Sequence, residues 1–186
     1  LFPSFSAAWR INQEEWFDVR PISNLKLRAS WGQLGNGAIL GLYDYIALIN
    51  SGTDQGNVNY YQSDMASTGK TWEIISTTNV GLDLGMFGSK LNVTADYYWK
   101  KNDNMLSALE LPSLVGIGVP DSNVGTLKTW GWEFEVSYRN SYKDFRYEVA
   151  FNLSDSQNKV VRYDGKNRIA EGAVGILEGY PMNTIW

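Results

Sequence analysis

Apolar and polar residues alternate with a period of two over most of this chain, as in strands with one apolar face. Six stretches carry the pattern. Residues 4–11 place Phe5, Ala7, Trp9 and Ile11 on one face. In 25–33, Leu25, Leu27, Ala29 and Trp31 alternate with Lys26, Arg28, Ser30 and Gly32. In 78–86, Thr78, Val80, Leu82, Leu84 and Met86 alternate with Asn79, Gly81, Asp83 and Gly85. In 91–100, Leu91, Val93, Ala95, Tyr97 and Trp99 alternate with Asn92, Thr94, Asp96, Tyr98 and Lys100. In 130–139 the apolar set is Trp130, Trp132, Phe134, Val136 and Tyr138, and the other face holds Glu133, Glu135 and Arg139. In 145–154 the apolar set is Phe145, Tyr147, Val149, Phe151 and Leu153, against Arg146, Glu148 and Asn152. Over the last five stretches the apolar face holds no charge and the polar face holds ten.

The connections alternate in length. Phe87–Lys90 and Asn140–Asp144 are tight, whereas 34–77 and 101–129 are long and have loop composition. Short turns at one end and long loops at the other predict an outer-membrane β-barrel, with the short turns in the periplasm. Across the 87–90 turn Met86 opposes Leu91 and Asp83 opposes Thr94, so the two apolar phases agree. Residues 12–24 break the rhythm: Asn12, then Gln13–Glu15, Trp16 and Phe17 predict one capped helical turn before Pro21.

A soluble β-sandwich also alternates, its apolar faces forming a core. Aromatic placement favours lipid. Trp31, Trp99, Trp130 and Trp132 lie toward the long loops, and Tyr138, Phe145 and Tyr147 lie at a short turn. Leu27, Leu82, Val93 and Val149 take the middle. Two aromatic girdles flanking an aliphatic band suit the two headgroup levels of a bilayer. The expected fold is all-β, an antiparallel transmembrane β-barrel segment. About six strands cannot close a barrel alone, so the segment belongs to a larger one. The start at Leu1 and the stop at Trp186 read as the ends of an internal piece of a longer chain.

Composition narrows the chemistry. The chain has no cysteine and no histidine, which removes disulfides, thiolate metal sites and the commonest general base. A net charge of -4 without basic runs argues against nucleic acid. No stretch reaches the roughly 20 apolar residues of a membrane helix. Neither an enzyme nor a cofactor or metal site is expected. Glu133 and Glu135 share a face, as paired carboxylates of a glycosidase would. With Arg139, Arg146 and Glu148 nearby they read better, like Asp83 and Asp96, as lumen-lining ion-pair partners. Lys101–Asn104 offers oxygen ligands without calcium-loop spacing, and reads as the start of a solvated loop. Gly32, Gly35, Gly37 and Gly41 lack the Lys-Ser/Thr end of a phosphate loop and read as a flexible exit from a strand. Tyr43, Tyr45, Tyr60, Tyr61 and Trp72, in or beside the longest external loop, are candidate contacts for substrate or lid; the plainer reading is that they pack the loop onto its neighbours.

The words of the sequence resemble one family. Leu1–Ile11, Ile22–Gln33 followed by Gly35-Asn36, Trp72-Glu73, Thr78–Gly85, Asp96–Tyr98, Met105-Leu106, Gly131–Glu133 and Glu178–Pro181 resemble, in order, the barrel of SusC/RagA-type TonB-dependent transporters. The resemblance covers nearly the whole chain. It implies a barrel of about 22 strands with a plugged lumen. It implies import of oligosaccharides or peptides across the outer membrane of a Gram-negative bacterium, energised through TonB. It further implies a SusD-like surface lipoprotein docked on the external loops as a lid. In such proteins the plug domain and the TonB box lie earlier in the chain, so residues 1–186 correspond to part of the barrel domain alone. No family-wide set of substrate residues exists at the motif level. The alternatives are a soluble β-rich carbohydrate-binding module and a passive porin segment.

Overall fold

Alternation becomes sheet almost everywhere it was expected. The computed structural model describes residues 1–38, 40–108, 116–118, 121–164, 174–182 and 184–185. Its strands are β1 (Ser4–Arg10), β2 (Ile22–Asn36), β3 (Ile49–Asp54), β4 (Asn57–Gln62), β5 (Glu73–Met86), β6 (Leu91–Ala108), β7 (Asp121–Tyr142), β8 (Phe145–Tyr163), β9 (Val174–Gly175) and β10 (Thr184–Ile185). Six of them form one sheet in the order β1-β2-β5-β6-β7-β8, with β3-β4 and β9-β10 as separate pairs. The fold is all-β and antiparallel, an open sheet of the kind that walls a barrel.

Register carries the apolar phase from strand to strand. β1 pairs with β2 so that Phe5 opposes Trp31, Ala7 opposes Ala29 and Trp9 opposes Leu27. The Phe5 and Trp31 rings stack with centroids 6.1 Å apart. β5 ends at Met86 and β6 starts at Leu91, as the turn predicts. A Cβ on Gly81 would meet Asp96, and one on Gly85 would meet Asn92, the pairs that this register sets opposite each other.

The strands are longer than the alternation. β6, β7 and β8 run to 18, 22 and 19 residues, about twice the 9–11 residues a tilted strand needs to cross a bilayer. Lys101–Asn104 therefore lies inside β6, and Gly32 and Gly35 lie inside β2 rather than in a flexible exit. Of the expected 101–129 loop, residues 109–115 and 119–120 lie outside the described residues. The helical turn expected after Asn12 does not form; a 3₁₀ turn covers Ile11–Gln13 instead. Asn12 does not cap it; its side chain accepts from Leu25 N and donates to Ser23 O, tying the connection to the start of β2.

Two compact units divide the chain. One is 1–34, 76–100 and 129–157; the other is 35–75, 101–128 and 158–186. In the first, the buried residues among those described are Gly81, Gly85 and Gly131, and no described side chain forms a core. In the second, Met105, Val124 and Val160 are buried, with Glu73 among them.

Candidate functional site

The polar face of the first unit is organised by Arg28. Its Nε donates to Asp83 Oδ2 at 2.9 Å, and Nη2 donates to Asp83 Oδ1 and Asp96 Oδ2, each at 3.0 Å. Lys26 adds a contact to Asp83 at 3.7 Å. The guanidinium reaches from β2 to both carboxylates because Gly81 of β5 leaves the space: a Cβ there would lie 2.7 Å from Nη2. Arg139 of β7 grips Glu148 of β8 through both carboxylate oxygens, at 3.0 Å each. A cleft of about 390 Å³ brings Asp96, Glu133 and Glu135 together with Thr94, Asn152 and Ser154. Glu133 and Glu135 make no ion pair among the described residues. Asp83, Asp96 and Glu148 accept charge-assisted hydrogen bonds from Arg28 and Arg139.

The opposite face is apolar and bare. Leu27, Val80, Phe134, Val149, Phe151 and Leu153 are exposed there, and no described residue of the first unit forms a second layer over them. Trp31, Trp99, Trp132 and Tyr138 are exposed; Trp130 and Tyr147 are half-buried. Aromatics meet at both ends of the stripe. Tyr97 and Trp99 lie 4.5 Å apart, and Tyr147 lies about 6 Å from both Tyr138 and Phe145.

The second unit holds the 37–72 connection, which is not the unstructured loop its composition suggested. Gln55 (φ 47°) and Gly56 (φ 85°) make a two-residue turn with both residues left-handed, and β3 and β4 pair from Asp54–Asn57 out to Ile49–Gln62. The signal was present as a glycine-containing pair between short polar–apolar runs. Beyond the hairpin, Asp44 gathers the chain. Its backbone O accepts from Ser67 N at 2.7 Å, and its carboxylate accepts from Lys70 Nζ at 2.6 Å and Gly41 N at 2.9 Å. The Lys70 ammonium, and then the Gly41 N–H, hold the Asp44 carboxyl below its ordinary pKa. Beside this clasp is a cleft of about 520 Å³ whose walls include Tyr43, Ile46, Met65, Asp64 and Asp121.

The five loop aromatics divide accordingly. Tyr43 lines the cleft. Tyr45 is exposed beside Asp44, and Tyr60 and Tyr61 are exposed on β4. Trp72 lays its ring against Gly37, where a Cβ would come within 3.2 Å. Sequence reasoning missed Asp44, Lys70, Asp64 and Asp121, because pairs separated by many residues leave no local motif. Asp103, once weighed as a calcium ligand, pairs with Lys101 at 2.9 Å.

Comparison with known proteins agrees with this architecture. The family model "TonB dependent receptor-like, beta-barrel" matches residues 1–185. TonB-dependent receptor P3 of Formosa agariphila is 33% identical over 183 residues, covering 94% of this chain and 18% of that protein. TonB-dependent receptor SusC of Bacteroides thetaiotaomicron is 29% identical over 174 residues, covering 88% of this chain and 17% of SusC. The chain thus spans under a fifth of the length of these relatives. Among solved structures, one described as the structure of the RagAB peptide transporter superposes with a TM-score of 0.86 at 23% identity, over 97% of this chain and 20% of that one. The SusC/RagA-type resemblance of the sequence words stands. The chain belongs to the TonB-dependent receptor-like β-barrel family.

Proposed function

We propose that this chain supplies wall, lumen lining and external loops to an outer-membrane importer of oligosaccharides or peptides, driven through TonB and working with a SusD-like lipoprotein. The observation that carries the reading is one sheet with two unlike faces: a bare apolar stripe flanked by aromatics, and a charged face of Arg28, Asp83, Asp96, Glu133, Glu135 and Arg139. Lipid suits the first and a wet lumen the second. On this reading Trp31, Trp99, Trp130, Trp132, Tyr138 and Tyr147 lie at the headgroup levels, and the Tyr43 cleft faces incoming substrate or lid. The plug and the TonB-contacting segment belong to other parts of the polypeptide. A soluble carbohydrate-binding module would need a second layer over the apolar stripe. The relatives matched are named as TonB-dependent receptors, and the similar solved structure as a peptide transporter, in keeping with transport rather than catalysis.

The test is fractionation of the native polypeptide with an antibody to residues 43–61. A chain several times 21.0 kDa in the outer-membrane fraction is expected. With it comes TonB-dependent uptake of a tryptic peptide mixture or of an oligosaccharide mixture. A soluble polypeptide near 21.0 kDa would sink the reading.

A further inference from the structure

Glu73 is buried, 5% exposed, and none of the described residues forms an ion pair with it. Instead Oε1 accepts from Leu106 N at 2.8 Å and Oε2 accepts from Asn36 Nδ2 at 3.0 Å. The Leu106 amide lies two residues past Asn104, which is left-handed at φ 58° within β6. Asn104 is also engaged from the other side: Asn123 Nδ2 of β7 donates to Asn104 O at 2.7 Å and to Thr71 O at 2.9 Å, while Thr71 N donates to Asn123 Oδ1 at 2.7 Å. Residues 71–73, where the long connection re-enters the sheet, are thereby laced to β2, β6 and β7 by polar bonds. Burying a carboxylate is costly unless its oxygens find donors, and here both oxygens accept one.

We propose, resting on the import reading, that Glu73 is a positioning residue for import: it pins the base of the 37–72 connection to β2 and β6, so that the Tyr43 cleft stands formed before ligand arrives. A preformed cleft spares a ligand the ordering of the loop. Unpinning lowers the fraction of molecules competent to bind and raises the half-saturation concentration by that factor, without touching later steps.

The experiment uses the full-length transporter as wild type, Glu73→Ala, Glu73→Gln and Asn36→Ala. Hydrogen exchange is followed in detergent, and uptake of a labelled tryptic peptide mixture and an oligosaccharide mixture in cells. In Glu73→Ala, exchange in 37–72 and 101–108 is expected to rise on the order of ten-fold, with 78–86 and 130–139 unchanged. Half-saturation should rise by a similar factor at constant maximal rate. Glu73→Gln keeps an acceptor for Leu106 N and should hold 101–108 near wild type. Asn36→Ala leaves Glu73 its backbone partner and should loosen 37–72 alone; these two variants decide the matter if the alanine chain fails to assemble. Wild-type exchange in all three variants overturns the pin, as does a loss of protection spread equally over 78–86 and 130–139. If the wild type imports neither mixture, the import reading and the role in import both fall, while the exchange pattern still reports whether Glu73 pins the loop.

Discussion

At the scale of single residues, glycine decides where charge can be placed. Gly81 sits under the Arg28 guanidinium, and any Cβ there meets Nη2 and Cζ of Arg28 as well as Asp96. Gly81→Ala must therefore displace a side chain already bound to two carboxylates. It should destabilise the full-length barrel by about 1–3 kcal/mol, read from its denaturant midpoint. In an Arg28→Ala background the same change should cost less, because the guanidinium is gone and the Asp96 carboxylate, the nearest group, is free to turn away; equal costs in both backgrounds would separate Gly81 from the ion-pair cluster. Asp44 predicts a pH response of definite sign. Its folded pKa is lowered, chiefly by Lys70, so its contribution is present above the ordinary aspartate value and is lost as pH falls through the lower folded value. Acidification below about pH 4 should lower the protection of 41–46 and 67–70 against hydrogen exchange, taken relative to the intrinsic rate of each amide at that pH. Asp44→Asn should show the low protection already at neutral pH and little further change on acidification.

At the scale of elements, the β3-β4 hairpin shows what the sequence held and what it hid. Its turn needs two left-handed residues, and Gly56 takes its φ of 85° without strain, whereas Gln55 at 47° does not. Asparagine tolerates that region far better. Gln55→Asn should slow exchange across 49–62 by a factor of about two, equivalent to about 0.5 kcal/mol; faster exchange would mean that the glutamine side chain matters in its own right. The six strands of the main sheet were legible because alternation and turn length agree there, as with Met86 meeting Leu91. The hairpin was not, because Ile49–Asp54 and Asn57–Gln62 expose nearly every residue and so show no clean apolar face. The Asp44–Lys70 clasp and the Glu73 pin were illegible for another reason: their partners are joined by folding, not by spacing.

At the scale of the whole molecule, alternation reports the medium around a strand rather than its length. The apolar phase runs for nine residues in each of 78–86, 91–99, 130–138 and 145–153, close to one tilted bilayer crossing. The strands themselves continue, but charge returns to that same face at Lys101 and Asp103 in β6, Lys128 in β7 and Asp155 in β8. The two compact units divide at 100/101, 128/129 and 157/158, beside those returning charges. The alternation therefore marks an apolar band on one face, which on the import reading meets lipid, and the strands run on beyond it. A ladder of arginine substitutions along one strand tests this directly. On β6, Val93→Arg and Ala95→Arg fall in the middle of the band and should each cost about 2–4 kcal/mol, while Leu91→Arg and Trp99→Arg, at its edges, should lose only about 0–1 kcal/mol to the charge itself. Leu82→Arg on β5 should behave like Val93→Arg. The measurement is the denaturant stability of the full-length barrel in lipid vesicles, beside the amount assembled in the outer membrane. In a packed sandwich core the cost would follow side-chain volume and contacts and would show no symmetric peak along the strand; such a flat or irregular profile would remove lipid from the apolar face.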